Sequence, residues 1–363
     1  MKDTKKVLLY SPYLDILGGG EKHILSILKV FDDEEYDINV AWDDPNIGRK
    51  ISTRLHIKFS NLTFIPNFLK THGRLSRLKE LLKYDYFFYV TDGSYFFSQA
   101  KKNYIFAMYP KKDLYNMKFV NRLKLFNFSV ISNSEFTAKY IDRWFGKKPK
   151  VIYPFIDEVF LSISEKKLKK QKIILTVGRF FEHLHSKRQD VLIKSFKKLK
   201  QTNKNARNFK LVIAGGLKEK EDEFFLKKLQ IMVKERDDIS FLINPSFNKL
   251  FEIYKKSSIY WHAAGFGVDE LTTPEKVEHL GITPLEAMAS QCFVFCHDSG
   301  GPKRYIRDGE TGFLYHSINE LVEKTSAIID RPDEKIIKKA TAMIHENFSY
   351  KSFRASVKDY FNI

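Results

Sequence analysis

Two glutamates, Glu278 and Glu286, stand either side of HLGITPL, a setting that suits carboxylates holding a polar ligand. Thr283 is placed to cap a helix, Pro284 fits its first position and Glu286 its third, which together write a capping box. A short β-rich run, SIYWH, comes before them and another, CFVFC, after them. A helix that begins just past the carboxyl end of a strand offers free N–H groups and partial positive charge, which is chemistry for a phosphate. Glu286 reads equally well as a cap and nothing more. Glu278 does not, because it lies in a loop beside Gly281 with no helix of its own to stabilise.

Two cations come from further upstream. KIILTVGR reads as a strand ending in Arg179, and Lys187 falls in the loop that follows, FFEHLHSKRQ. At the mouth of a parallel sheet, facing a helix N-terminus, such a pair forms a place for a diphosphate. A merely solvated pair is the plain alternative. Gly18, Gly19 and Gly20 follow the first strand and open the first helix, so backbone there can approach a ligand closely. They match neither GxGxxG nor a Walker loop, and a tight turn explains them as well.

The elements that must position these residues alternate along the chain. KVLLYSPY, YDINVAW, LTFIP, YFFYVTD, NYIFAMYP, FSVISNS and KVIYPF read as strands, separated mainly by helical stretches. After a Lys-rich stretch at 156–172, taken as a linker, the pattern restarts with KIILTVGR, KLVIAGG, ISFLIN, SSIYWH, CFVFC and GFLYH. Strands alternating with helices predict βαβ units and mainly parallel sheets. At 363 residues the chain exceeds what one core comfortably serves, so two domains are expected.

Composition limits the function classes. The chain is 43% apolar and 29% charged, as in an ordinary soluble protein, and carries a formal charge of +18. That charge permits nucleic acid, an anionic membrane or phosphorylated ligands as partners, but no zinc-finger, RNP or basic-zipper pattern accompanies it. Residues 66–84 read as one basic amphipathic helix, and 111–126 as a second basic, aromatic run. Cys292 and Cys296, about 13 Å apart along a strand, are too distant for a disulfide and read as reduced core thiols of a cytosolic protein. The first residues imitate a signal peptide, but Ser11, Pro12 and Asp15 break the apolar run. No stretch approaches the roughly 18 apolar residues of a spanning helix, so a soluble or peripheral protein is expected.

In order and spacing, VGRFFEHLHSKRQDVLIKSF, LVIAGG, EHLGITPLEAMA and SGGPKRYIRDGETGFLY resemble the family 4 glycosyltransferases. LGGGEKHI, VISNSEFTAKYI and KVIYPFID extend that resemblance over nearly the whole chain. It implies an α/β fold of GT-B type, with two Rossmann-like doubly wound domains facing across a cleft. The expected limits are 1–157 for the acceptor side, 158–347 for the nucleotide-sugar side, and 348–363 for a last helix crossing back to the first domain. It also implies metal-independent, retaining transfer from a nucleotide-sugar to a glycan or lipid-linked acceptor in surface-polysaccharide or glycolipid assembly. No cofactor and no nucleic-acid partner is expected. Arg179 and Lys187 would hold the donor diphosphate, Glu278 the sugar, and Glu286 the ribose. The backbone amides of Gly281, Ile282 and Thr283 would meet sugar or phosphate, with Gly19 and Gly20 closing over the phosphates. Fixed cations and helix N–H groups aimed at the leaving diphosphate would do the work that a metal does elsewhere.

Three departures stand out. Many relatives carry a histidine where IFAMYP has Met108, which leaves Asp92 in YVTDGS as the nearest polar candidate for the acceptor. An acid usual after GGP is replaced by Lys303 and Arg304, and GFGVDELTTPEKV is an insertion ahead of Glu278. Two other readings stay open: a GT-B sugar-nucleotide epimerase, and a basic non-catalytic protein that binds nucleic acid or membrane. The expected location is cytoplasmic, with the basic helices adding attachment to the inner face of the membrane.

Overall fold

The computed structural model describes residues 4–363 except 116, 117, 165, 167, 183–185, 218 and 219. Part of the basic run at 111–126, of the expected linker and of the loop ahead of Lys187 therefore lies outside the described residues. The chain divides into two compact units, Met1–Pro154 together with Phe353–Ile363, and Phe155–Ser352.

In the first unit, seven parallel strands form one sheet. They are β1 (Lys6–Tyr10), β2 (Asp37–Ala41), β3 (Leu62–Ile65), β4 (Tyr86–Val90), β5 (Lys102–Ala107), β6 (Phe128–Ser132) and β7 (Lys150–Val151). Their order is β3-β2-β1-β4-β5-β6-β7. All five residues of β4, YFFYV, are buried, as a central strand covered by helices on both faces requires. The last helix of the chain, Tyr350–Phe361, buries Phe353, Val357 and Phe361 at helical spacing. The Phe361 ring lies among Phe31, Phe88 and Tyr104, with centroids at 5.1, 5.4 and 4.9 Å. Arg354 and Lys358 on the same helix share Glu34, at 2.6 and 2.8 Å.

The second unit carries β8 (Gln171–Val177), β9 (Lys210–Gly215), β10 (Ile239–Ile243), β11 (Ser257–His262), β12 (Phe293–His297) and β13 (Phe313–Tyr315). These pair in parallel in the order β10-β9-β8-β11-β12-β13. In each unit the order reverses beside the first strand, so the carboxyl ends of β1 and β4, and of β8 and β11, flank a topological switch point. In open α/β sheets that crevice is where ligands bind. Arg179 lies two residues past the end of β8, and His262 ends β11.

Two expectations are corrected. Residues 156–172 are no plain linker: a helix, Glu158–Ser164, packs the Phe160 ring against Phe251 and Tyr254 at 5.2 and 5.4 Å. Lys170, in the same stretch, is half-buried and donates to the Ser257 carbonyl at 2.8 Å. The many lysines hid the apolar pattern of Phe160, Leu161 and Ile163. The basic stretch 66–84 is likewise not one helix. It is Phe68–Thr71 and Arg74–Leu81, interrupted where His72 turns extended ahead of Gly73, and Leu75 is 76% exposed instead of facing a core.

Candidate functional site

The second unit draws its chemical residues together at the ends of β8 and β11. Glu278 accepts hydrogen bonds at one carboxylate oxygen from the Lys187 ammonium and, at 3.0 Å, from His262 Nε2. The backbone N–H of Ala264 donates to His262 Nδ1 at 3.3 Å, so the ring proton sits on Nε2 and points at Glu278. His262 is only 3% exposed, and burial pushes its pKa down to about 4, against the pull of Glu278 and with the push of Lys187 and His297. The ring is neutral and fixed. It therefore aims the carboxylate without adding charge.

The backbone at Glu278 is held from behind by the SGGP loop. Gly301 N–H donates to the Glu278 carbonyl at 2.7 Å. Gly300 has φ +68°, and a Cβ there would come within 2.0 Å of the same carbonyl oxygen. Both the conformation and the contact require glycine. The insertion completes this support: Glu270 accepts the Gly300 N–H at 2.8 Å and pairs with Lys303 at 2.5 Å. The cation that replaces the usual acid after GGP is thus neutralised by the inserted segment.

Glu286 and Thr283 differ from the expected capping box. The helix is Ile282–Ala289, its N-cap is Gly281 at φ +88°, and no side chain caps it. A glycine in the left-handed region starts the helix two residues early, which moves Pro284 to the third helical position and Glu286 into the second turn. Pro284 lacks an N–H where none is needed, so the orphan amides of this end belong to Gly281, Ile282 and Thr283. Thr283 Oγ1 instead accepts from Tyr260 at 2.8 Å, and Glu286 accepts from the Tyr254 hydroxyl at 2.9 Å. Tyr254 and Tyr260 are buried and stack at 6.1 Å, so both phenols are rigid donors.

Arg179 has neighbours of its own. Its half-exposed guanidinium lies 4.0 Å from Asp222 and over the Phe181 ring. A cavity of about 380 Å³ is lined by Gly265, Val268 and Lys276 of the insertion together with Arg188 and Lys228. Of its cations, Arg188 pairs with Asp190 and Lys228 with Glu182.

In the first unit, Gly18 caps the helix Gly19–Asp33, and the Glu21 carboxylate accepts the Gly18 N–H at 2.7 Å. A Cβ on Gly20 would stand 2.4 Å from Met108 Sδ, so the glycine also answers a packing need. Asp92 accepts hydrogen bonds from Tyr89 at 2.6 Å and from the Ser94 N–H at 2.9 Å. Burial raises its pKa, but those bonds outweigh burial and hold it below the ordinary carboxylate value. Both of these bonds end on one carboxylate oxygen, Oδ1.

Among the described residues, no group of three or more His, Cys, Asp or Glu side chains is arranged to hold a metal ion, and no helix is long and apolar enough to cross a membrane. Both cysteines are buried free thiols.

Residues 160–346 match the family described as "Glycosyl transferases group 1". The chain belongs to the group 1 glycosyltransferase family. It is similar to the human "GDP-Man:Man(3)GlcNAc(2)-PP-Dol alpha-1,2-mannosyltransferase", 30% identical over 62% of this chain and 46% of that one. It is also similar to the alpha-1,3/1,6-mannosyltransferase alg2 of Schizosaccharomyces pombe, 29% identical over 51% of this chain and 40% of that one. The chain thus spans about half the length of the curated relatives it matches. Among solved structures, a glycosyltransferase from Rickettsia africae covers 99% of both chains with TM-score 0.72 at 16% identity. Anabaena HepE in complex with UDP covers 99% of this chain and 100% of that one, with TM-score 0.72 at 15% identity. These likenesses establish the GT-B fold for this glycosyltransferase.

Sequence reasoning missed His262, Tyr254, Tyr260 and Glu270. His262 had a signal, since it is the polar residue that ends a buried strand. The tyrosines had none, because phenols facing a core look like any other aromatic packing.

A pH dependence follows from His262. Its folded pKa lies below the usual 6.5, so the unfolded chain binds the extra proton and stability falls as pH drops from about 6.5 towards 4. The loss is on the order of 3 kcal/mol. Melting temperature measured across that window should fall for the native chain and fall less for His262→Gln. Equal slopes would mean that His262 is not held neutral.

Proposed function

We propose that this glycosyltransferase moves a hexose from a nucleotide-sugar to a glycan or lipid-linked acceptor in surface-polysaccharide or glycolipid assembly, with retention at the anomeric carbon and without a metal ion. The observation that carries the reading is the Lys187–Glu278–His262 cluster, whose Glu278 lies three residues ahead of the orphan amides at 281–283. Departure of a nucleoside diphosphate leaves negative charge on phosphate while positive charge grows at the anomeric carbon. Lys187, Arg179 and the helix start would stabilise the first, as donors fixed before the reaction. Glu278, oriented by His262, would face the sugar, and Glu286, steadied by Tyr254, would accept from the ribose. An arriving diphosphate would compete with Glu278 for the Lys187 ammonium, which frees the carboxylate for the sugar as the donor seats.

The donor and acceptor in the human relative's name, GDP-Man and a glycan on PP-Dol, support a lipid-linked acceptor. With a charge of +18, attachment to the anionic inner face of the cell membrane would bring the cytoplasmic enzyme to such an acceptor. The test is a thermal-shift screen with GDP-, UDP- and ADP-sugars, since a donor that binds the folded state raises its melting temperature. Product analysis with donor alone then separates a transferase from an epimerase, which needs no acceptor. Absence of stabilisation by every donor, together with salt-dependent nucleic-acid binding, would sink the proposal.

Glu286→Gln isolates one role. The amide can still accept from Tyr254 but loses the charge offered to the ribose. Donor affinity should fall roughly tenfold, the scale of one charge-assisted hydrogen bond, with the melting temperature nearly unchanged. A lower melting temperature with donor affinity intact would make Glu286 a structural residue only.

A further inference from the structure

We propose that residues 119–126 of the first unit form an interfacial anchor whose apolar side chains insert into an anionic lipid surface. The inference rests on the membrane attachment proposed above and says which surface makes it. The helix Phe119–Lys124 buries none of its residues. Phe119, Val120, Leu123 and Phe126 are 75, 56, 47 and 77% exposed, although apolar side chains on a surface helix ordinarily turn inward. The segment is nonetheless pinned. Leu125 is 1% exposed, and just upstream the buried Tyr115 packs edge-on to Phe145 at 5.8 Å.

A second exposed apolar site lies beside it. Lys124 Nζ donates to the Tyr95 carbonyl at 2.7 Å, while the Arg74 guanidinium covers the Phe97 ring at 4.5 Å. Both helices therefore flank the same loop after β4, and the second contributes Leu75, 76% exposed. This loop leaves the carboxyl end of a central strand, the ligand side of such a sheet.

Charge identifies the occupant. Across 118–126 the sequence KFVNRLKLF holds Lys118, Arg122 and Lys124 and no acid. A second copy of this chain would bring like charges together, whereas anionic headgroups would pair with them while the rings enter the acyl boundary. A six-residue helix is far too short to span a bilayer, so it would lie in the interface plane.

The experiment is co-sedimentation of the full chain with phosphatidylglycerol-containing or pure phosphatidylcholine vesicles, at low and high salt. The native chain should bind the anionic vesicles and retain part of that binding at high salt, because apolar insertion is not screened. Phe119→Ala/Leu123→Ala/Phe126→Ala should lose at least tenfold in binding at either salt, with melting temperature and donor-induced thermal shift unchanged. In Phe119→Trp, emission should shift to the blue and be quenched by brominated acyl chains. Equal binding by the triple variant would overturn insertion and leave charge alone. A native chain indifferent to vesicles would overturn the membrane attachment, while its donor-induced shift would leave the transferase reading standing. A native dimer made monomeric by the triple variant would assign the surface to a second copy and overturn the proposal.

Discussion

Replacing Lys187 by alanine should lower turnover by roughly 10²-fold or more, the scale of losing one preorganised charge donor. Two effects contribute and can be separated. Lys187 and Glu278 are 19 and 15% exposed, so removing the ammonium leaves a largely buried carboxylate short of its counter-charge. That alone would lower stability and misplace Glu278. The proposed second effect is loss of the cation that meets the leaving diphosphate. Glu278→Gln removes the charge that Lys187 balances, so the double variant Lys187→Ala/Glu278→Gln should recover melting temperature. Turnover in the double variant should be at least as low as in the worse single variant, because each side chain has its own task. Recovery of turnover together with stability would reduce Lys187 to a counter-ion for Glu278. Arg179→Ala makes the comparison cleaner. Its guanidinium is 48% exposed and its pairing with the buried Asp222 is long at 4.0 Å, so a similar loss of turnover should come with a smaller change in stability than Lys187→Ala causes.

The sheets were legible in the sequence, and the pairings inside the site were not. Parallel strands buried on both faces are written as uninterrupted apolar runs, so YFFYV and CFVFC announced themselves and the two sheets followed. Lys187 and Glu278 could be singled out because charged residues in glycine-bearing loops after strands have few structural uses. Their mutual pairing could not, since it depends on how two loops 91 residues apart meet at adjacent strands. The capping box failed for a local reason. Thr283, Pro284 and Glu286 have the right types and spacing, but Gly281 adopts a left-handed conformation that starts the helix earlier, and two buried tyrosines take the side chains. Glu270 was invisible for the opposite reason. Its task, joining Gly300 and Lys303, belongs to an insertion whose path no periodicity describes.

The last helix carries the second large effect. Phe361→Ala should destabilise the first unit by about 3–5 kcal/mol, the usual cost of emptying a phenylalanine site in a packed core. Phe361 is 1% exposed, and its ring meets Phe31, Tyr86, Phe88 and Tyr104, four aromatics on the first helix and the central strands. The ring reaches them only because Phe353, Val357 and Phe361 recur every fourth residue, while Arg354 and Lys358 on the neighbouring stripe fasten to Glu34. Those two ion pairs are partly exposed and share one carboxylate, so the aromatic site should dominate. Double substitution of Arg354 and Lys358 by alanine should therefore cost about 1 kcal/mol or less. For a unit of this size the Phe361 loss corresponds to a fall in melting temperature on the order of 10 °C. Lys351→Ala, exposed on the same helix, is the control and should stay within about 0.5 kcal/mol of the native chain. A Phe361→Ala melting curve no lower than that control would mean that the last helix merely covers the first unit and does not help to hold its core.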